Sequence, residues 1–376
     1  MKSYNGLFDK MVQTENIKAA FYTASVGKRG RSDVKRALGN IDEEVEKVKS
    51  ILINGTYRRE KKKTHIINAS NAAHKTREIA KPRYCYDQVV HHCIVSQLKP
   101  IVTHGLYEFT CGSIKGKGPH YGKKYMRKWI NSYKGKKIYI LKMDIHHFYQ
   151  SINIRILKDK LAATIRDQRF LDFVYKVIGD EVSLGLYTSP WMANLYLKDF
   201  DHWVKQALHA ERYMRYADDM VIIGRNKKEL HRMRRAISEY LGEQLDLELK
   251  GDWQVSQFER TDKTGRKRGR FLDFMGFRFH QDKITLRKSI LKKAARKARK
   301  IKRKGKTTWY DAVQMVSLLG WFWHTDTYGY YIRHIKPIIS IKNLKKIISR
   351  HAKKEAKKHD RMDRSHRVSA YRTAGA

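Results

Sequence analysis

The sequence predicts an α+β fold in which an antiparallel sheet packs under helices, and three observations predict it. Runs rich in β-branched and aromatic residues, such as IYILKMD (138–144) and RYMRYADDMVIIG (212–224), alternate with segments of helical period such as KKELHRMRRAISEYLGEQL (227–245). The run at 212–224 is interrupted by an acidic pair, which reads as strand–turn–strand. Only 5 prolines and no Ser/Gly-rich linker occur in 376 residues, which argues against domains strung on flexible tethers.

Taken in order, residues 1–60 read as a helical, polar N-terminal extension, with NIDEEVEKVKSILINGTYRR an amphipathic helix ending near Gly55. Residues 61–85 read as strands with a basic loop, and 86–110 carry apolar positions at helical spacing. In TCGSIKGKGPHYGKKYMRKWI a Gly/Lys loop leads into a basic helix. KKIYILKMDIHHFYQSI is a buried strand running into a turn, and SLGLYTSPWMANLYLKDFDHWV a turn entering a long helix. Short strands follow helix 227–245, and RFLDFMGFRFHQDKITLRK reads as a hairpin. From Arg287 the composition changes: residues 287–306 carry 12 Lys/Arg and no acid. An aromatic helix, AVQMVSLLGWFWHTDTYG, and a basic tail come next, with Trp321 and Trp323 expected in the core. The expected boundaries are therefore 1–60, 61–285 and 286–376.

Charge is the strongest global signal. Against 37 Asp+Glu stand 81 Lys+Arg, a net charge of +44 and a pI near 10.1. That excess implies a polyanionic partner held through many phosphate contacts. A mean hydropathy of −0.67 and the lack of an apolar run of about 18–20 residues argue against a membrane span. The N-terminus lacks the apolar core of a secretion signal. Cys85, Cys93 and Cys111 show no metal-type spacing and cannot all pair, which suits reduced thiols in a cytoplasmic protein. The pairs His91–His92 and His146–His147 point in different directions on a helix or strand and are assigned no metal.

Asp144 ends a strand-like run, and Asp218 and Asp219 sit at the turn of the hairpin. On its own the acidic pair also fits a turn with solvated carboxylates. Three acids delivered from strand ends in so basic a chain point instead to chelated divalent cations, the arrangement that nucleotidyl transfer requires. Mg²⁺ prefers such oxygen ligands and retains waters, so a few acids suffice.

These residues resemble the reverse transcriptases. YADD (216–219) is similar to that family's Tyr-x-Asp-Asp box, and KMDIHHFYQSI (142–152) to its upstream palm box. SPWMANLYLKDFD (189–201) resembles the Ser-x-x-x-Ala-Asn-x-x-Leu helix between them. FLDFMGFRF (271–279) resembles the primer-grip hairpin and KTREIAKP (75–82) the fingers strand. The resemblance implies a right-hand polymerase of fingers, palm and helical thumb that makes cDNA on an RNA template. Asp144, Asp218 and Asp219 would hold two Mg²⁺ ions, with Mn²⁺ an alternative. Tyr149 falls at the steric-gate position that excludes a ribose 2′-hydroxyl. Arg77 and Lys75 would contact the incoming dNTP, and Leu184 and Gly185 would line its site. At Leu184 group II intron enzymes carry Gln. An aliphatic residue there marks the enzymes of diversity-generating retroelements, which copy template adenines unfaithfully. LFDKM (7–11), DFDHWVK (199–205) and DWQV (252–255) also resemble that group, whereas Pro190 and Ala217 are closer to group II and antiviral-defence enzymes.

By the same resemblance a thumb follows the hairpin, where Lys292, Lys293, Arg296, Lys297, Arg299 and Lys300 would track phosphates without reading sequence. Lys115 and Lys117 in the Gly/Lys loop would hold template backbone; that loop lacks a P-loop pattern. The partners implied are a structured template RNA, the cDNA product, dNTPs and a small accessory protein oligomer, with no membrane. The competing readings are an antiviral-defence reverse transcriptase using an associated noncoding RNA, and a noncatalytic RNA-binding or maturase-like protein.

Overall fold

The computed structural model describes residues 3–58, 64–68, 76–262 and 264–354. The chain divides into two compact units, residues 1–262 and 263–376. The change of composition expected near residue 285 falls inside the second unit, between its strands and its basic helix.

The first unit begins with helices α1 (Leu7–Met11), α2 (Thr14–Ser25), α3 (Ser32–Gly39) and α4 (Ile41–Ile53), as the polar, periodic N-terminus requires. Gly55, at φ 59°, follows α4 in the left-handed conformation that ends helices. Strands β1 (Thr64–Asn68) and β2 (Thr76–Ala80) pair antiparallel, with Ile67 opposite Arg77. Helix α5 (Val89–Thr103) is buried along most of its length through Val89, Val90, Cys93, Ile94, Val95 and Leu98, and it packs against α2. All three cysteines are free.

Strands β3 (Thr110–Cys111), β4 (Tyr139–Asp144), β5 (Arg212–Tyr216), β6 (Asp219–Gly224) and β7 (Gln254–Gln257) form one sheet in the order β3-β5-β6-β4-β7. Every pairing is antiparallel except β3 with β5. Between β3 and β4 lies α6 (Pro119–Ser132), and between β4 and β5 lie α7 (Phe148–Ser151), α8 (Ile154–Ala162), α9 (Gln168–Ile178), α10 (Ser189–Tyr196) and α11 (Lys198–Gln206). The long helix expected over 189–204 is thus two helices, with Leu197 at φ −96°, ψ 7° between them. Nearly every residue of α10 is buried, whereas α11 buries only Phe200, Asp201 and Val204, so the bend lets α11 turn that one face onto β5. Helix α12 (Lys227–Leu245) is capped by the Asn226 side chain and packs Leu230, Met233, Ile237 and Leu241 against β4, β6 and β7.

In the second unit, strands Leu272–Phe274, Phe277–Phe279 and Ile284–Leu286 form an antiparallel meander, one strand more than the expected hairpin. Its first turn is Met275–Gly276, both at positive φ (52° and 87°), as tight two-residue hairpins require. Helices α13 (Lys288–Arg303), α14 (Trp309–Leu319) and α15 (Tyr328–His334) follow. The aromatic segment stops being α-helical at Leu319, and the core residue there is Phe322. Trp321 is half-buried against Phe277, and Trp323 is 46% exposed beside Tyr328 and Tyr331, so neither is the core residue expected.

Buried Asp311 ties this unit together. Thr308 and Asp311 form a reciprocal capping box at the start of α14, and Lys297 donates to Asp311 at 2.7 Å. The Lys297 ammonium, helped by the Thr308 hydroxyl, holds the Asp311 carboxyl well below the usual carboxylate range. A depressed carboxylate contributes stability that is present above its unfolded value, about pH 4, and is lost as pH falls toward the folded value. Asp311→Asn is therefore expected to destabilise the second unit at pH 7 and to flatten the loss of stability below about pH 4, measured by denaturant unfolding across pH.

Candidate active site

Asp144 is the last residue of β4, and the register sets it directly opposite Asp219, the first residue of β6. Opposed residues in an antiparallel pair lie about 4.5–5.5 Å apart at Cα, so two carboxylates meet at the end of the sheet. Tyr216 pairs with Asp219, which makes Ala217 and Asp218 a two-residue turn. Ala217 is left-handed at φ 54°, a conformation that costs a residue with a Cβ. Three contacts hold it there. Its amide donates to the Cys111 carbonyl at 3.2 Å, its carbonyl accepts from Arg215 Nη1 at 2.9 Å, and Gly112 (φ 96°) runs close against it.

Each facing carboxylate has a cation partner. Lys250 pairs with Asp144, while its backbone amide donates to the Asp144 carbonyl at 2.9 Å. Lys142 Nζ lies 3.7 Å from Asp219 Oδ1. Among the described residues no group of three or more His, Cys, Asp or Glu is already gathered as a metal cluster. Two of the three expected ligands, Asp144 and Asp219, thus face each other across the strands, and Asp218 precedes Asp219 in the turn. The donors available are carboxylate oxygens at a partly exposed strand end, the ligand type hard Mg²⁺ prefers.

Tyr149, on α7, is half-buried, and its phenol is pushed up first by burial and then by the charge of Asp218. His147, at φ 42°, starts this short helix, and His146 and His147 are exposed.

Beneath the turn lies a network that the sequence reading missed. Arg215 and Asp201 are both fully buried and pair bidentately: Nε donates to Oδ1 at 2.8 Å and Nη2 to Oδ2 at 2.6 Å. Asp201 also accepts from the Tyr213 hydroxyl (2.7 Å) and the Thr110 hydroxyl (2.7 Å), and burial raises the Tyr213 phenol well above its ordinary value. One carboxylate thus joins α11, β3 and β5. The available signal was a charged residue at an inward position of an apolar strand, matched by an acid in an amphipathic helix.

The Leu184–Pro190 segment docks on β2. The Ala80 amide donates to the Leu184 carbonyl at 2.7 Å. Gly185 sits at φ 98°, and a Cβ there would lie 2.3 Å from the Ala80 carbonyl oxygen, so only glycine fits. His91 Nδ1 is 3.0 Å from the Thr188 hydroxyl, and His92 stacks on Tyr187 at 3.8 Å. These histidines, given no function from sequence, brace the segment. Arg77 lies on β2, but its side chain and all of Lys75 fall outside the described residues. The loop with Lys115 and Lys117 leaves β3 next to the acidic turn; Lys115 is exposed, while Lys117 donates to the Glu108 carbonyl at 2.7 Å. In the second unit Lys292, Lys293, Arg296, Arg299 and Lys300 are exposed along α13, whereas Lys297 is committed to Asp311.

Residues 61–252 match the family described as reverse transcriptase (RNA-dependent DNA polymerase). The chain belongs to that family. No curated protein matches it. Solved structures similar to this reverse transcriptase include apo telomerase from Candida tropicalis truncated from its C-terminal domain, at 12% identity and a TM-score of 0.44, covering 60% of this chain and 55% of that one. Telomerase from Candida albicans in complex with a TWJ fragment of telomeric RNA matches at 12% identity and a TM-score of 0.42, over 70% and 53%. The chain spans about half the length of these structures. Its α+β architecture is that of the right-hand polymerases. No helix among the described residues is long and apolar enough to cross a membrane.

In this reverse transcriptase, Asp201→Ala is expected to destabilise the first unit by about 3–5 kcal/mol, because the Arg215 guanidinium stays buried without its carboxylate. The joint replacement Asp201→Leu with Arg215→Met is expected to recover most of that loss in thermal unfolding.

Proposed function

We propose that the protein is an RNA-directed DNA polymerase that extends a primer with dNTPs along an RNA template. The observation that carries this reading is the register that sets Asp144 against Asp219 with Asp218 in the intervening turn. Residues 61–285 act as fingers and palm and 286–376 as a basic thumb and tail, preceded by the helical extension 1–60. Asp144, Asp218 and Asp219 hold two Mg²⁺ ions, with Mn²⁺ a substitute. Divalent ions bound there lower the pKa of a primer hydroxyl and neutralise the triphosphate.

The chain's own residues do the rest. The two carboxylates approach one face of the site together because β4 and β6 are hydrogen-bonded over their full length. Lys142 and Lys250 pair with them and orient them. Tyr149 stands beside Asp218 as a wall against a ribose 2′-hydroxyl, which favours dNTPs. The backbone of Leu184 and Gly185, fixed to β2, would line the nucleotide site, and the family resemblance assigns Arg77 and Lys75 to the dNTP. Lys115 and the exposed cations of α13 neutralise nucleic-acid phosphates.

Leu184 supports a finer reading: error-prone copying of template adenines, as in a diversity-generating retroelement, on a structured template RNA and with a small accessory oligomer. Without an amide at this position, hydrogen bonds that discriminate the correct pair are missing. Ser189–Pro190 and Ala217 favour a second reading, an antiviral-defence enzyme that uses an associated noncoding RNA.

Primer extension on an RNA template with Mg²⁺ and dNTPs is expected in the wild type. The variant Asp218→Ala with Asp219→Ala is expected to lose it by at least about 10³-fold while RNA affinity holds. RNA binding without synthesis in the wild type refutes the polymerase reading. Sequencing of the cDNA is expected to show substitutions concentrated at template adenines, reduced about tenfold by Leu184→Gln. Faithful or untemplated product supports the defence reading.

A further inference from the structure

Helix α12 carries its charges at the wrong end for its own stability. The N-terminus of a helix is the positive end of its dipole and favours acids. Yet Lys227, Lys228, Arg232, Arg234 and Arg235 lie in its first half against the single acid Glu229, while the last half holds Glu239 and Glu243 and no base. Lys228 and Arg232 are also like charges at i,i+4 spacing, which destabilises an isolated helix. Lys228, Arg232 and Arg235 are exposed and form no ion pair among the described residues.

The same residues line a concavity. Asn226, Lys228, His231, Arg232 and Arg235 surround an open recess of about 510 Å³ on the surface of the first unit. Arg234 is held apart from it, its guanidinium 4.5 Å over the Trp253 ring. The apolar face of α12 is taken up by β4, β6 and β7, so the basic face is free. The recess borders the edge of the sheet, where the His231 ring lies 5.8 Å from the ring of Trp253, just before β7.

We infer that the recess at the start of α12 is a second RNA-binding site, taking the phosphodiester backbone of an RNA segment other than the one being copied. The inference rests on the reading of the protein as an RNA-templated polymerase. A cluster of exposed cations that form no ion pair among the described residues and face an open recess is a surface that a polyanion neutralises. The cations would neutralise backbone phosphates, contacts that carry no sequence information. Holding a flanking structured segment there would keep the template bound while its copied part moves through the catalytic end.

The test uses the full chain saturated with an unlabelled RNA-template/DNA-primer duplex, titrated with a fluorescein-labelled RNA hairpin and read by anisotropy. The wild type is expected to bind the hairpin in addition to the duplex. The variant Lys228→Glu/Arg232→Glu/Arg235→Glu is expected to bind it at least about tenfold more weakly, with the slope of log affinity against log salt smaller by about 2. Lys228→Glu puts an acid in the first turn, which is favourable, whereas Arg235→Glu sets like charge four residues before Glu239, so the net change in unfolding midpoint is expected to be small. Unchanged hairpin affinity overturns the inference, as does a loss of affinity that comes only with a lowered midpoint. Extension of the preloaded duplex in the same samples reports on the polymerase reading separately and is expected to be equal in both proteins.

Discussion

The end of the sheet that carries the three acids depends on one buried ion pair. Burying a guanidinium and a carboxylate carries a large desolvation cost, repaid only where geometry is good and the remaining hydrogen-bonding capacity is filled. Arg215 and Asp201 meet that condition with two parallel hydrogen bonds, the Tyr213 and Thr110 hydroxyls on the carboxylate, and the Ala217 carbonyl on the guanidinium. The last of these matters for the site. It fixes a left-handed alanine at the tip of the hairpin, and through it the directions of Asp218 and Asp219. A hydrophobic replacement could fill the same volume but has no donor to hold that carbonyl.

The fold uses short, specific contacts of the same kind wherever chain segments must meet near the acids. Gly112 approaches Ala217, and Gly185 approaches Ala80 where no Cβ fits. Lys250 joins a carboxylate at the end of β4 to the loop after α12. Elsewhere the first unit is held by extended apolar packing, which tolerates variation better than these polar junctions do.

Much of this was legible in the sequence, for identifiable reasons. Helix α12 spans the residues its period predicted, because an Asn cap and an unbroken apolar stripe define both ends. The acids stood out through the boxes around them, YADD and KMDIHHFYQSI, since an acidic pair alone also fits a solvated turn. The Arg215–Asp201 pair was not, because an arginine at an inward strand position calls for a partner without saying which of the chain's acids supplies it. The break at Leu197 was hidden for a related reason: nothing in SPWMANLYLKDFD forbids a continuous helix, and only packing against β5 bends it. Lys297 was read as a phosphate contact because its run of bases looked uniform, and only the fold brings Asp311 to it.

The central claim is that a hairpin held by a buried ion pair presents Asp144, Asp218 and Asp219 for metal-dependent copying of RNA. Single-nucleotide incorporation opposite an RNA template, with Mg²⁺ titrated from zero, tests it most directly. Incorporation is expected to be absent in chelator, to rise and saturate with Mg²⁺, and to be lost in Asp144→Asn although that variant binds the template–primer normally. Incorporation that persists in chelator, or that Asp144→Asn leaves undiminished, would contradict it.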